Sequence, residues 1–147
     1  LAAARILIVD DEALFLSATS RRLSREGYEV LSAHGPLQAL EIIRNNPPID
    51  LVVTDINMPQ LRGTDLVREI GEISPQTATI LMTGGHIDPA DVPDGIPLIR
   101  KPFQTAELIA AVHRALERSA KMGPKLARNL EISTELPCKS RELISEC

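Results

Sequence analysis

Five polar side chains of this chain are of the types, and at the places, that could do chemistry together. Asp10 and Asp11 directly follow an apolar run at 5–9. Asp55 closes a second run at 50–54, Thr83 closes another at 78–82, and Lys101 follows one at 96–99. They amount to three carboxylates, a hydroxyl and an ammonium. Crowded together without compensation, the carboxylates repel and their pKa values rise. A hard divalent cation with oxygen ligands removes that cost, and Mg2+ suits one or two carboxylates plus phosphate oxygens. Each residue also has a plain structural use. Asp10-Asp11-Glu12 ahead of a helix is a good N-cap, Asp55 caps a turn, Thr83 before two glycines is a turn residue, and Lys-Pro says little. Only their convergence points to a site.

Convergence depends on the elements that carry them. Residues 5–9 form a continuous apolar run of the kind found in strands buried on both faces. Similar runs recur at 28–33, 50–54, 78–82 and 96–99. Helical spacing fills about 12–26, 36–45, 64–72 and 104–118, with Gly27, Gly35, Pro47-Pro48, Pro75 and Gly95 at the joins. Regular alternation of strand and helix predicts an α/β fold: a doubly wound, five-stranded parallel sheet with helices on both faces. In such a sheet the C-terminal strand ends line one crevice, which is where all five polar residues lie. Two places break the rhythm. Between strands four and five, Pro89 and Pro93 leave room for only a turn or so, so the fourth helix is expected to be shortened. After Met122-Gly123-Pro124 the apolar residues are too sparse for a core. The domain is therefore expected over 1–119, with 120–147 a tail or linker.

Composition narrows the function classes. A chain of 147 residues with 44% hydrophobic and 24% charged residues fits one globular domain. Net charge of −4 argues against nucleic-acid binding. No apolar run reaches the roughly 18 residues of a membrane helix, and no secretory signal is visible. Cys138 and Cys147 both lie near the end, so no disulfide framework is expected and a reducing, cytoplasmic setting is the simpler reading. Phe15, Tyr28 and Phe103 are the aromatic residues, which predicts an aliphatic core and no base-stacking platform. His34, His86 and His113 lack metal-ligand spacing, and Arg21, Arg22 and Arg25 read as a solvated helix face. The start at Leu1 rather than Met suggests a piece of something longer.

The motifs Ile-Leu-Ile-Val-Asp-Asp-Glu (6–12), Asp-Leu-Val-Val-Thr-Asp-Ile-Asn-Met-Pro (50–59) with Gly63, Ile-Leu-Met-Thr-Gly (80–84) and Arg-Lys-Pro-Phe (100–103) together resemble the receiver domains of bacterial two-component response regulators, over about residues 5–118. The resemblance implies a flavodoxin-like strand order, 2-1-3-4-5, and a phosphorylated signalling module rather than a metabolic enzyme. Asp55 would accept a phosphoryl group from a phosphohistidine. Mg2+ would be held by Asp11, Asp55 and the main-chain carbonyl of Asn57, with Asp10 acting partly through water. Lys101 and the Thr83 hydroxyl would contact the phosphoryl oxygens. Members carry a cis Lys-Pro bond, which would aim Lys101 inward. They usually have an aromatic residue three positions before the lysine that turns inward on phosphorylation. Here that switch position is Leu98, so the aromatic switch is not expected.

The implied partner is a histidine kinase or a histidine phosphotransfer protein. The chain would be a stand-alone receiver, the receiver of a hybrid histidine kinase, or part of a longer regulator, and a homodimer stays open. Leu16, Thr19, Ser20 and Leu23 should face the sheet. Phe15 points about 100° from Leu16, and fills core or anchors a partner helix. In the second reading Leu14, Phe15, Ala18, Pro102 and Phe103 form the docking patch with Arg22 at its rim. Two other classes remain: a non-phosphorylated interaction scaffold with this fold, and a flavodoxin-like nucleotide or flavin binder. The intact acidic residues, Thr83 and Lys101 count against the first. The missing Gly-rich phosphate loop counts against the second.

Overall fold

The computed structural model describes residues 3–45, 48–85, 87–93 and 95–122, and the expected tail falls outside them beyond Met122. By its internal contacts the chain divides at Leu116 into two units, of which the first carries the fold. Strands β1 (Arg5–Val9), β2 (Glu29–Ala33), β3 (Leu51–Asp55), β4 (Ala78–Thr83) and β5 (Leu98–Arg100) form one sheet. Their order is β2-β1-β3-β4-β5 and every pair is parallel. Helices α1 (Ala13–Arg25), α2 (Pro36–Asn45), α3 (Gly63–Ile73) and α4 (Thr105–Met122) alternate with the strands, except between β4 and β5.

Successive strand residues point to opposite faces, and both faces are covered. On one face Ile6 and Ile8 of β1 pack with Leu16 and Leu23 of α1 and with Leu108 and Val112 of α4. On the other, Leu7 and Val9 pack with Leu40 and Ile43 of α2 and with Leu66 and Ile70 of α3. An unbroken Ile-Leu-Ile-Val run is what a strand covered on both sides needs. The aliphatic core is as composition predicted.

Between β4 and β5 a single 3-10 turn, Pro89–Asp91, stands where a helix would alternate. Ile87 from this connection is buried against Ile56, Val67 and Leu81, with Val92, Ile96 and Leu98 at its margin. A loop with a few aliphatic residues thus covers that part of the sheet. The fifth strand is later than the apolar run at 96–99 suggests. Pro97 has no N–H for the ladder, and its carbonyl accepts from the Leu81 N–H before regular pairing starts at Leu81 and Leu98.

Candidate functional site

The C-terminal ends of β1, β3, β4 and β5 bring the predicted residues to one edge of the sheet. Asp10 is completely buried one residue past β1, Asp55 ends β3 with its side chain 10% exposed, and Thr83 ends β4 in full burial. Asp11 is exposed beside them. Carboxylate oxygens of Asp10, Asp11 and Asp55 all lie within 4.8 Å of one another. Lys101 follows β5, and its backbone N–H donates to the Thr83 carbonyl at 2.7 Å, tying the ends of β4 and β5 together. The Lys101–Pro102 peptide is cis.

The Lys101 ammonium is the centre of the charge arrangement. Nζ donates to Asp10 Oδ2 at 2.7 Å, and lies 3.8 Å from Asp55 Oδ2 and 3.9 Å from Glu12 Oε1. The remaining Asp10 oxygen, Oδ1, accepts the Glu12 backbone N–H at 2.9 Å. Glu12 is the N-cap of α1 but makes no side-chain capping bond, so its carboxylate is not spent on the helix end. Desolvation raises the Asp55 pKa above the ordinary carboxylate value. Lys101 and the Asn57 backbone N–H pull it down, while Asp10 and Asp11 push it up, and the net shift is upward. Burial alone would lower the Lys101 pKa, but the hydrogen bond to Asp10 and the charges of Asp10, Asp55 and Glu12 outweigh it, so the ammonium is held more firmly than usual.

Within this group of described residues one buried oxygen lacks a partner. Asp55 Oδ1 is buried and makes no hydrogen bond. A carboxylate oxygen in that condition is costly unless something else binds it. With Asp10 and Asp11 within ligand distance, the oxygen donor set suits a small hard cation such as Mg2+. Thr83 Oγ1 is occupied locally. It donates to the Gly85 carbonyl, accepts the Gly85 N–H, both at 3.2 Å, and lies 3.5 Å from Asn57 Nδ2.

The backbone around Asp55 is held from two sides. Ile56 N–H donates to the Met82 carbonyl and Gly63 N–H to the Ile56 carbonyl, each at 2.9 Å. A β-carbon on Gly63 would run into the Asp55 carbonyl and come within 2.7 Å of Ile56 Cα. Gly63 is therefore the contact that lets α3 close against the Asp55 strand end.

On the predicted docking face, Leu14 is 88% exposed, and Ala18 and Pro102 are exposed. Phe15 and Phe103 are half-buried and pack against the core. Phe15 is thus not a freely standing ring. It meets Phe103 edge-on at 6.0 Å, and its own ring lies 4.4 Å beneath Lys101 Nζ. Arg22 is paired with Glu26 at 2.6 Å. Leu16, Thr19 and Leu23 are buried under α1, and Ser20 bonds Ser32 at 2.9 Å. Leu98 is partly buried against the small cluster of Ile56, Val67, Leu81 and Ile87. Sequence reasoning missed Glu12 as a third carboxylate facing Lys101. It also missed the Phe15 ring contact, because residues 15 and 101 meet only through the fold.

Comparison with known proteins decides the family. The response regulator receiver domain model matches residues 6–113. The chain belongs to this family. It is 34% identical over 122 residues to the transcriptional regulatory protein CpxR of Klebsiella pneumoniae, covering 78% of this chain and 50% of that one. It is 31% identical over 125 residues to GlrR of Escherichia coli, covering 80% of this chain and 27% of that one. The receiver therefore spans half or less of these two relatives. Among solved structures, a response regulator receiver domain from Clostridium thermocellum superimposes with a TM-score of 0.75 at 36% identity, over 82% of this chain and 99% of that one. The receiver of the hybrid histidine kinase CckA gives 0.67 at 30% identity, over 77% and 99%. Receiver domains are signalling domains, and the strand order found here is theirs. No helix among the described residues is long and apolar enough to cross a membrane.

Proposed function

We propose that this receiver accepts a phosphoryl group onto Asp55 from a phosphohistidine, with Mg2+, and that the aspartyl phosphate changes its contacts with partners. The observation that carries the reading is the Asp55 carboxylate itself. It has a buried oxygen without a protein partner, two neighbouring carboxylates within ligand distance, and an ammonium 3.8 Å from its other oxygen.

The chemistry follows from those neighbours. A carboxylate oxygen of Asp55 attacks phosphorus in line, the P–N bond breaks, and its electron pair leaves on the imidazole nitrogen. Negative charge on the three equatorial oxygens must be met at that moment. Lys101 is poised to do so: its ammonium now bonds Asp10 and needs only a short shift to follow a phosphoryl oxygen on Asp55. The Thr83 hydroxyl, at the end of the neighbouring strand, turns from the Gly85 carbonyl to donate to another. Held by Asp11, Asp55 and the Asn57 carbonyl, with Asp10 partly through water, Mg2+ would supply the remaining positive charge. Gly85 places no side chain over the phosphoryl position, which leaves it open to hydrolytic water.

The partner would be a histidine kinase or phosphotransfer protein. Leu14, Ala18 and Pro102 offer it exposed surface, Phe15 and Phe103 form the floor, and Arg22 stands at the edge. The receiver is assigned to 1–119, with 120–147 as tail or linker. The test is transfer from a radiolabelled phosphohistidine phosphotransfer protein in the presence of Mg2+. Label should move to this chain and fail to move to Asp55→Asn. Label that stays on the donor, or reaches the Asn variant equally, overturns the proposal.

A further inference from the structure

The contact between the Phe15 ring and the Lys101 ammonium is not explained by partner docking. Nζ stands 4.4 Å from the ring centroid, well inside the distance at which a cation is attracted to an aromatic face. Three carboxylates, those of Asp10, Asp55 and Glu12, lie within 4 Å of the same nitrogen. The ring is itself held: Phe103 meets it edge-on, with the planes at 86°, and both rings pack against the core. Phe103 lies two residues after Lys101, so one short loop supplies both the ammonium and the brace behind its platform. Gly84 leaves space for the lysine stem, since even an added β-carbon there would stay 3.8 Å from Lys101 Cβ and Cδ.

We infer that Phe15 is a positioning residue for Lys101: its ring face holds the ammonium inside the crevice while the N–H donors are handed from Asp10 to a phosphoryl oxygen on Asp55. This rests on the phosphoreceiver reading. A ring suits the task because its attraction is not tied to one direction, unlike that of a carboxylate. The ammonium can turn its three donors without leaving the face. The ring also excludes water from one side of Nζ, which strengthens the charge that meets the transferring group. An aliphatic side chain of similar size would fill the space and offer neither effect.

The experiment compares Phe15→Leu and Phe15→Tyr with the parent, using acetyl phosphate as donor. A small donor touches no docking surface, so any change in rate arises inside the crevice. Phe15→Leu should slow the maximal labelling rate about 3- to 10-fold at saturating Mg2+, with Mg2+ affinity unchanged because a phenyl ring offers the metal no oxygen ligand. Phe15→Tyr should retain most of the parent rate. Independently, the Lys101 Hε protons should resonate upfield in the parent and in Phe15→Tyr through the ring current, and return to ordinary lysine values in Phe15→Leu. Labelling of Phe15→Leu at the parent rate overturns the inference, as does a Lys101 signal that the substitution leaves unmoved. A parent protein that takes no label at all removes the phosphoreceiver reading and this inference with it, whereas a labelled parent with an indifferent Phe15→Leu removes the inference alone.

Discussion

Gly63 offers a sharp test of how the site is built. It opens α3 and its φ is not positive, so on backbone freedom alone Gly63→Ala would gain about 0.4–1 kcal/mol. Space decides otherwise. The added β-carbon would sit 2.7 Å from Ile56 Cα, where ordinary contact begins at 3.4 Å, and would also overlap the Asp55 carbonyl oxygen. Both are backbone atoms and cannot swing aside. The two segments must part by at least about 0.7 Å, an overpacking that costs about 1–3 kcal/mol. The Gly63 N–H bond to the Ile56 carbonyl is stretched as well, at about 0.5–1.5 kcal/mol. The net expectation is a loss of about 1–3 kcal/mol, which with a typical urea slope lowers the unfolding midpoint by about 0.5–1.5 M. Gly71, on the same helix, has nothing within 4 Å of its built β-carbon, so Gly71→Ala should raise the midpoint. Urea titrations of both variants beside the parent supply the comparison. If Gly63→Ala stabilises as Gly71→Ala does, α3 does not close on the Asp55 backbone as described.

Three further expectations concern the site. Asp11 is exposed, so Asp11→Ala should leave the fold intact while weakening Mg2+ binding about tenfold, or about 1.4 kcal/mol, by calorimetry; unchanged affinity would remove Asp11 from the metal site. The folded-state pKa of Asp55 lies above its unfolded value of 3.8, so its ionisation costs stability as pH rises through the folded pKa and costs nothing below 3.8. Metal-free Asp55→Asn should therefore gain on the parent between pH 4 and pH 7 in urea titrations, with Mg2+ narrowing the gap; a gap that is constant with pH would contradict the burial argument. With an aliphatic residue, Leu98, three positions before Lys101, phosphorylation should slow hydrogen exchange across the described parts of 83–95, and protection confined to β5 and α4 would refute this expectation.

The parts of the fold that were legible are those governed by burial. Four apolar runs placed β1 to β4 within a residue at each end: β1, β3 and β4 are covered on both faces and nearly continuous in apolar residues, while the edge strand β2 keeps Val30, Leu31 and Ala33 alongside the exposed Glu29 and Ser32. The fifth was displaced. Ile96 belongs to the small cluster around Ile87, and Arg100 pairs with Thr83 in the ladder although it is polar and exposed, so hydrophobicity could not mark the boundary. The gathering of Asp10, Asp11, Asp55, Thr83 and Lys101 followed from topology, since parallel strands put all their C-terminal ends on one edge. What pattern could not reveal was how each side chain is used. Helical angle set Phe15 apart from Leu16 but gave no hint that Lys101 would lie over its ring, a contact between residues 86 positions apart. Nor could it tell that Glu12 would turn toward the same ammonium.

In the proposed reaction the phosphoryl group ends on a carboxylate oxygen of Asp55. Borohydride reduction tests it most directly, because it converts an aspartyl phosphate to homoserine and leaves a free carboxylate untouched. Protein incubated with acetyl phosphate and Mg2+, then reduced and sequenced by peptide mass, should carry homoserine at position 55 and only when Mg2+ is present. Homoserine at Asp10 or Asp11, or its absence from a protein that binds Mg2+ normally, would contradict the account.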